Sequence, residues 1–206
     1  YKGAIEDYTK AIELDPEYAL AYNNRGVSKD ELEDYRGAIE DYTKAIELDP
    51  EYVIAYGNRG YSKNKLNDNF GAIYDYTRVI ELNPKDSWAY KSRGNAKLNL
   101  EDFYGAIYDY TRAIEIDPKN AIAYNNRCWT KYKMGKYISA LPDCNKSLLI
   151  NPKDGNTYDS RGDVYFALDD KKGACSDYKN AIANGQKQRE KYLSSEEGAW
   201  CRNMPD

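Results

Sequence analysis

Five of the seven prolines in this chain stand on one comb: Pro16, Pro50, Pro84, Pro118 and Pro152, each 34 residues after the last. Alanines keep the same step at Ala4, Ala38, Ala72, Ala106, Ala140 and Ala174, and tyrosines at Tyr22, Tyr56, Tyr90, Tyr124 and Tyr158. A strict period of this length marks a stack of small supersecondary units, none of which can bury its apolar face alone. Low mean hydropathy would otherwise suggest disorder, but here the apolar residues are ordered in register.

Each period reads as two helices. Residues 19–32 form the first and 35–48 the second, in which Ala38, Ile39, Tyr42, Ala45 and Ile46 recur at steps of three and four and make one apolar face. Asx-Pro pairs such as Asp49-Pro50 and Asn83-Pro84 punctuate the units, because proline disfavours helical geometry in the residue before it. A unit built on Tyr-x-Asn-Arg-Gly followed by Gly-Ala-Ile-x-Asp-Tyr-x-x-Ala-Ile-x-x-x-Pro resembles the tetratricopeptide repeat, in a bacterial-type array. The resemblance implies an all-α, right-handed solenoid superhelix of stacked helix–turn–helix units. It divides the chain into a second helix of a truncated unit (1–18), units at 19–52, 53–86, 87–120, 121–154 and 155–185, and a capping helix with tail (186–206).

Small residues explain the close packing: Gly26, Gly60, Gly94 and Gly162 on first helices, Ala38, Ala72, Ala106 and Ala174 on second helices. Departures from the family pattern are informative. The turn between helices often holds glycine in the family, yet here Glu33, Asn67, Glu101 and Asp169 stand there and only Gly135 conforms. Arg25, Arg59, Arg93, Arg127 and Arg161 replace a usual leucine. Asp41, Asp75, Asp109, Asp143 and Asp177 recur with the same step, so a structural ladder of Arg–Asp pairs is expected. In unit 121–154, Cys128 takes the place of the small glycine and Cys144 that of the large tyrosine. Compensated packing is the simpler account and is favoured; a disulfide is the sharper one. Pro142 falls in the first turns of that unit's second helix.

Composition removes several functions. The net charge of −4 and pI near 5.1 argue against non-specific nucleic-acid binding. No apolar run is long enough for membrane insertion. The four cysteines are too few and uneven for a disulfide scaffold, no CxxC occurs, and histidine is absent, so no zinc site, imidazole base or other cofactor is expected. No phosphate loop or nucleophile–base pair emerges, and the chain reads as a non-enzyme. It opens in mid-unit, which suggests a fragment or processed product; the compartment is unknown, with the cytoplasm as default.

The resemblance implies a concave surface lined by first helices. One recurring place on them gives Asn24, Asn58, Ser92, Asn126 and Ser160, amides and hydroxyls able to grip an extended backbone, or simply to cap and hydrate the helix. A second gives Leu20, Ile54, Trp88, Ile122 and Asn156; a third gives Val27, Tyr61, Asn95, Trp129 and Asp163. Trp88, Trp129 and Tyr61 are candidate anchors. Co-chaperone members of the family grip a C-terminal carboxylate. Lys91, Asn95 and Asn126 match three places of that clamp, but Asn156 and Ser160 stand where cations are expected, which weakens the match. The leading expectation is a scaffold binding an unidentified protein or peptide. Alternatives are homo-oligomeric assembly through the uncapped N-terminal helix, whose Ile5, Tyr8 and Ile12 need a partner, and the targeting arm of a larger enzyme.

Overall fold

A computed structural model describes residues 1–204, all of whose regular structure is helical. The fold is therefore all-α, of the solenoid class, built from helix–turn–helix hairpins. Two compact units divide the chain, Tyr1–Asp102 and a second beginning at Phe103. The first holds α1 (Lys2–Leu14), α2 (Ala19–Asp30), α3 (Tyr35–Leu48), α4 (Val53–Lys65), α5 (Asn69–Leu82) and α6 (Ser87–Asn99). The second holds α7 (Phe103–Ile116), α8 (Ala121–Lys133), α9 (Tyr137–Ile150), α10 (Gly155–Ala167), α11 (Lys171–Ala183), α12 (Lys187–Ser194) and α13 (Ala199–Arg202).

The hairpin turns are set by backbone bonds. At the end of α2, Asp34 N–H donates to Lys29 O at 2.9 Å and Glu33 N–H to Asp30 O at 2.9 Å, the double closure of a Schellman ending. This geometry needs a left-handed residue, and Glu33, Asn67, Glu101 and Asp169 supply it with φ of 59–61°, as does Gly135 with φ 73°. The next residue then caps the second helix: Asp34, Asp68 and Asp170 accept from the backbone N–H of Gly37, Gly71 and Gly173 at 2.9–3.0 Å.

Between the helices of a hairpin, Tyr42 and Tyr178 are buried and pack against the glycine of the opposite helix. A Cβ at Gly26 would come within 2.7 Å of the Tyr42 ring, and one at Gly162 within 2.5 Å of Tyr178. Ala38, Ala72, Ala106, Ala140 and Ala174 are fully buried. The expected ion pairs form with two-pronged geometry in Arg25–Asp41, Arg59–Asp75, Arg127–Asp143 and Arg161–Asp177, with N···O distances of 2.6–3.0 Å. Each arginine also reaches the preceding second helix: Arg25, Arg59 and Arg127 donate through Nη1 to Thr9, Thr43 and Thr111, at 3.2, 3.1 and 2.9 Å.

The preference for reduced, merely packed cysteines is corrected. Cys128 and Cys144 are joined by a disulfide with Cα atoms 5.5 Å apart, and Cys175 is joined to Cys201 across 5.2 Å. The reason is geometric. The glycine and tyrosine positions face each other at close range in the pairs Gly26–Tyr42, Gly60–Tyr76 and Gly162–Tyr178, so cysteines placed at both fall within bonding reach. The second bond fastens α13 to α11 and closes a core of Ala174, Tyr178 and Leu193, against which Trp200 and Tyr192 pack. Pro142 lies inside α9 rather than ending it. α1 packs on α2 without fully burying any residue, and Ile5, Tyr8 and Ile12 are half-buried.

Candidate functional site

First helices present the chain's recessed polar surface. In the first unit, a cavity of about 260 Å³ lies among Val53, Ile54, Gly57, Asn58, Asp86 and Trp88. Trp88 meets Tyr76 edge-on at 5.5 Å between ring centroids, and its indole occupies the space above Gly57, where a Cβ would stand 3.3 Å from the ring. Asn58 Nδ2 donates to Asn23 Oδ1 at 3.1 Å, and Asn23 Nδ2 donates to Asn24 Oδ1 at 3.1 Å, so the two predicted asparagines belong to one amide chain through a third. Lys91 is half-buried with its Nζ 6.0 Å from the Trp88 ring centroid, and burial lowers its pKa. Tyr61 is exposed under Lys65, whose Nζ is 5.3 Å from the ring; Asn95 is half-buried. Neither lines the cavity.

In the second unit a larger cavity, about 520 Å³, opens between α8, α10 and the loop joining α9 to α10. Ile122, Asn125, Asn126 and Trp129 come from α8, Asn156, Asp159 and Ser160 from α10, and Asp154 from the α10 cap. Its wall is braced from behind. Ser147 Oγ donates to Ala121 O at 2.9 Å and lies 2.9 Å from Thr157 Oγ1, which donates in turn to Asp154 Oδ2 at 2.5 Å. Trp129 stacks on Tyr132 at 5.1 Å. Asn126 is half-buried and hydrogen-bonded to Tyr110, whose hydroxyl burial pushes to a higher pKa.

The two cavities occupy one register. Val53, Ile54, Gly57, Asn58, Asp86 and Trp88 correspond to Ala121, Ile122, Asn125, Asn126, Asp154 and Asn156, each pair 68 residues (two periods) apart. Of the predicted site residues, Asn126 and Trp129 meet in the larger cavity, and Asn58 and Trp88 in the smaller. Asn125, Asp154 and Asp159 were missed by sequence reasoning. Asn125 and Asp159 stand one place before the asparagine series, with Asn23, Gly57 and Lys91, and that second series was the available signal.

An all-helical array of stacked hairpins with recessed first-helix surfaces defines a repeat protein of the solenoid class. Part of the chain matches known repeat families: the tetratricopeptide repeat model matches residues 19–52 and 87–120, and a TPR repeat model matches residues 1–29. No curated protein sequence gives a significant match. Among solved structures, the MamA protein is 24% identical over 88% of this chain and 97% of its own, with a TM-score of 0.73. YrrB, a TPR protein with an unusual peptide-binding site, is 20% identical over 93% of this chain and 100% of its own, with a TM-score of 0.72. The first TPR of Spaghetti (RPAP3), bound to HSP90 peptide SRMEEVD, is 28% identical over 59% of this chain and 96% of its own, with a TM-score of 0.56.

Proposed function

We propose that the chain is a protein-interaction scaffold that holds an extended segment of a partner along its first helices. The observation that carries this reading is the shared register of the two cavities. A recess returning two periods later, with an isoleucine, an asparagine and an aspartate at matching places, suits a ligand that repeats its backbone more than its side chains. YrrB and the Spaghetti repeat, both similar in fold, carry peptide-binding sites, which supports the same class of ligand here.

The test is a peptide-array screen of the wild type, an Asn24→Ala, Asn58→Ala, Asn126→Ala variant and a Trp129→Ala variant, each first shown to be folded by circular dichroism. Binding present in the wild type and lost in both variants is expected. Binding indifferent to both would move the working surface elsewhere. Self-association through α1 is a second reading, favoured by the half-buried state of Ile5, Tyr8 and Ile12 and the exposure of Leu14. A mass that rises with protein concentration, and falls back on an Ile5→Ser, Ile12→Ser change, would establish it.

A further inference from the structure

The two equivalent cavities differ at one place, and the difference says what the larger one is shaped to take. In the first unit the Trp88 ring, itself 43% exposed, lies over Gly57 and narrows the recess. Two periods on, Asn156 replaces the tryptophan and Asn125 the glycine, and the volume rises from about 260 to about 520 Å³. The larger recess is thus wider where its counterpart is narrowed by a flat, extended side chain of its own.

Its lining carries the carboxylates of Asp154 and Asp159 and no lysine or arginine. Arg189 takes Oδ1 of Asp159 and, at 2.8 Å, Oδ1 of Asp163, and thereby offsets part of this charge from behind α10. Asp159 keeps its other carboxylate oxygen, Oδ2, outside that pair. Asp154 Oδ1 receives the backbone N–H and the side-chain Nδ2 of Asn156, at 3.2 and 3.4 Å, and Oδ2 receives the Thr157 hydroxyl, which leaves a further lone pair on Oδ2. Independently, Asn125 lines the cavity, and its Oδ1 is buried with no hydrogen-bond partner among the described residues. An unmatched buried acceptor costs free energy until a donor reaches it. Aspartates with open lone pairs, an orphan amide oxygen and an apolar wall of Ile122 and Trp129 together ask for a flat group rich in N–H donors on an aliphatic stem.

We propose that this cavity is a specificity pocket for an arginine side chain of the bound segment. The guanidinium lies between Asp159 and Asp154 with one N–H on Asn125 Oδ1, and its methylenes run along Ile122 and Trp129. This rests on the groove reading above and adds the chemistry of the residue selected. It is opposite in sign to an acidic peptide such as the one held by the Spaghetti repeat.

The probes are soluble peptides Gly-Ser-Ala-Xaa-Ala-Ser-Gly with Xaa arginine, citrulline, lysine, glutamate or leucine, titrated into the whole chain and followed by backbone and side-chain amide NMR. The arginine peptide should shift the Asn125 and Asn156 side-chain amides and bind about tenfold or more tightly than its citrulline isostere, with glutamate weaker still. Asn125→Gly with Asn156→Trp, which rebuilds the narrowed recess of the first unit, should abolish the preference; Asp159→Asn should reduce it. Arginine and citrulline binding alike on the wild type would overturn the pocket whatever the variants do. If the array yields groove-dependent peptides without arginine enrichment, the pocket fails and the groove stands; if it yields no groove-dependent peptide, both fail.

Discussion

Asp75 is fully buried and receives both prongs of the Arg59 guanidinium, Nη2 on Oδ1 at 2.7 Å and Nε on Oδ2 at 3.0 Å. Lys63 adds Nζ at 2.8 Å, while Arg59 Nη1 donates backwards to Thr43 at 3.1 Å. One side chain therefore fastens α4 both to its own partner helix and to the second helix before it. Removing the carboxylate strands a partly buried guanidinium. Asp75→Ala should cost about 3–5 kcal/mol, and Thr43→Ala about 1 kcal/mol. Urea unfolding followed by circular dichroism separates them; equal costs would mean that the ion pair is not the main tie.

Four non-glycine residues hold the left-handed turn position. Glu33→Gly should stabilise by about 0.5–1 kcal/mol, the relief of left-handed strain less the entropy that glycine loses on folding. Asn67→Gly should gain less, because asparagine tolerates that conformation. Gly135→Ala should cost about 1 kcal/mol, since a methyl there meets nothing within 4 Å and the backbone alone resists. A Glu33→Gly midpoint below that of the wild type would contradict this account.

The Cys128–Cys144 bond spans 16 residues, a loop whose closure in the unfolded chain is worth about 3 kcal/mol. Removing this bond alone, as in Cys128→Ser with Cys144→Ser, should lower stability by about that much, and a reducing agent, which also opens Cys175–Cys201, by more. Cys128→Gly with Cys144→Tyr restores the packing seen at Gly26–Tyr42 and should recover stability without any crosslink. If that double variant, under reducing conditions, is no more stable than the reduced parent, the cysteines do not stand in for the glycine–tyrosine pair.

Asp30 is held above its ordinary pKa, first by burial and against the lowering effect of hydrogen bonds from Ser62 and Tyr42. The folded chain therefore keeps that proton to a higher pH than the unfolded one. Stability contributed at this site falls as pH rises from the unfolded value near 3.8 through the raised folded value, and is level above it. Asp30→Asn, which still accepts from Tyr42, should flatten that part of the profile. Parallel wild-type and variant curves between pH 3 and 7 would refute the assignment.

Much of the architecture was legible because its causes recur. Pro50 and Pro84 mark unit joints by sterics, and Arg59 and Asp75 announce each other by returning together at one spacing. Thr43 was not legible as the arginine's second partner: a threonine inside a helix usually bonds its own backbone, as Thr43 Oγ1 also does with Ile39 O at 2.7 Å. The Cys128–Cys144 bond hid behind a volume exchange that satisfies packing equally well when reduced. Cys175 has its partner at Cys201, beyond the last periodic residue, where no repeat could point to it. At the candidate site, Trp129 and Asn126 could be named from helix register. Asp154 sits in a loop between units, and the wider recess at Asn156 becomes visible only beside the recess that Trp88 narrows.

All four cysteines fall after Asp102, and each is tied within the second compact unit. The chain's response to thiols is therefore lopsided. A reductant leaves residues 1–102 chemically untouched while it loosens the half that carries the larger recess. Amide hydrogen exchange under reducing conditions should show protection lost in α8, α9, α11 and α13 but retained in α3 to α5, so that one half of a sequence built from near-identical units reports on its redox surroundings and the other is deaf to them.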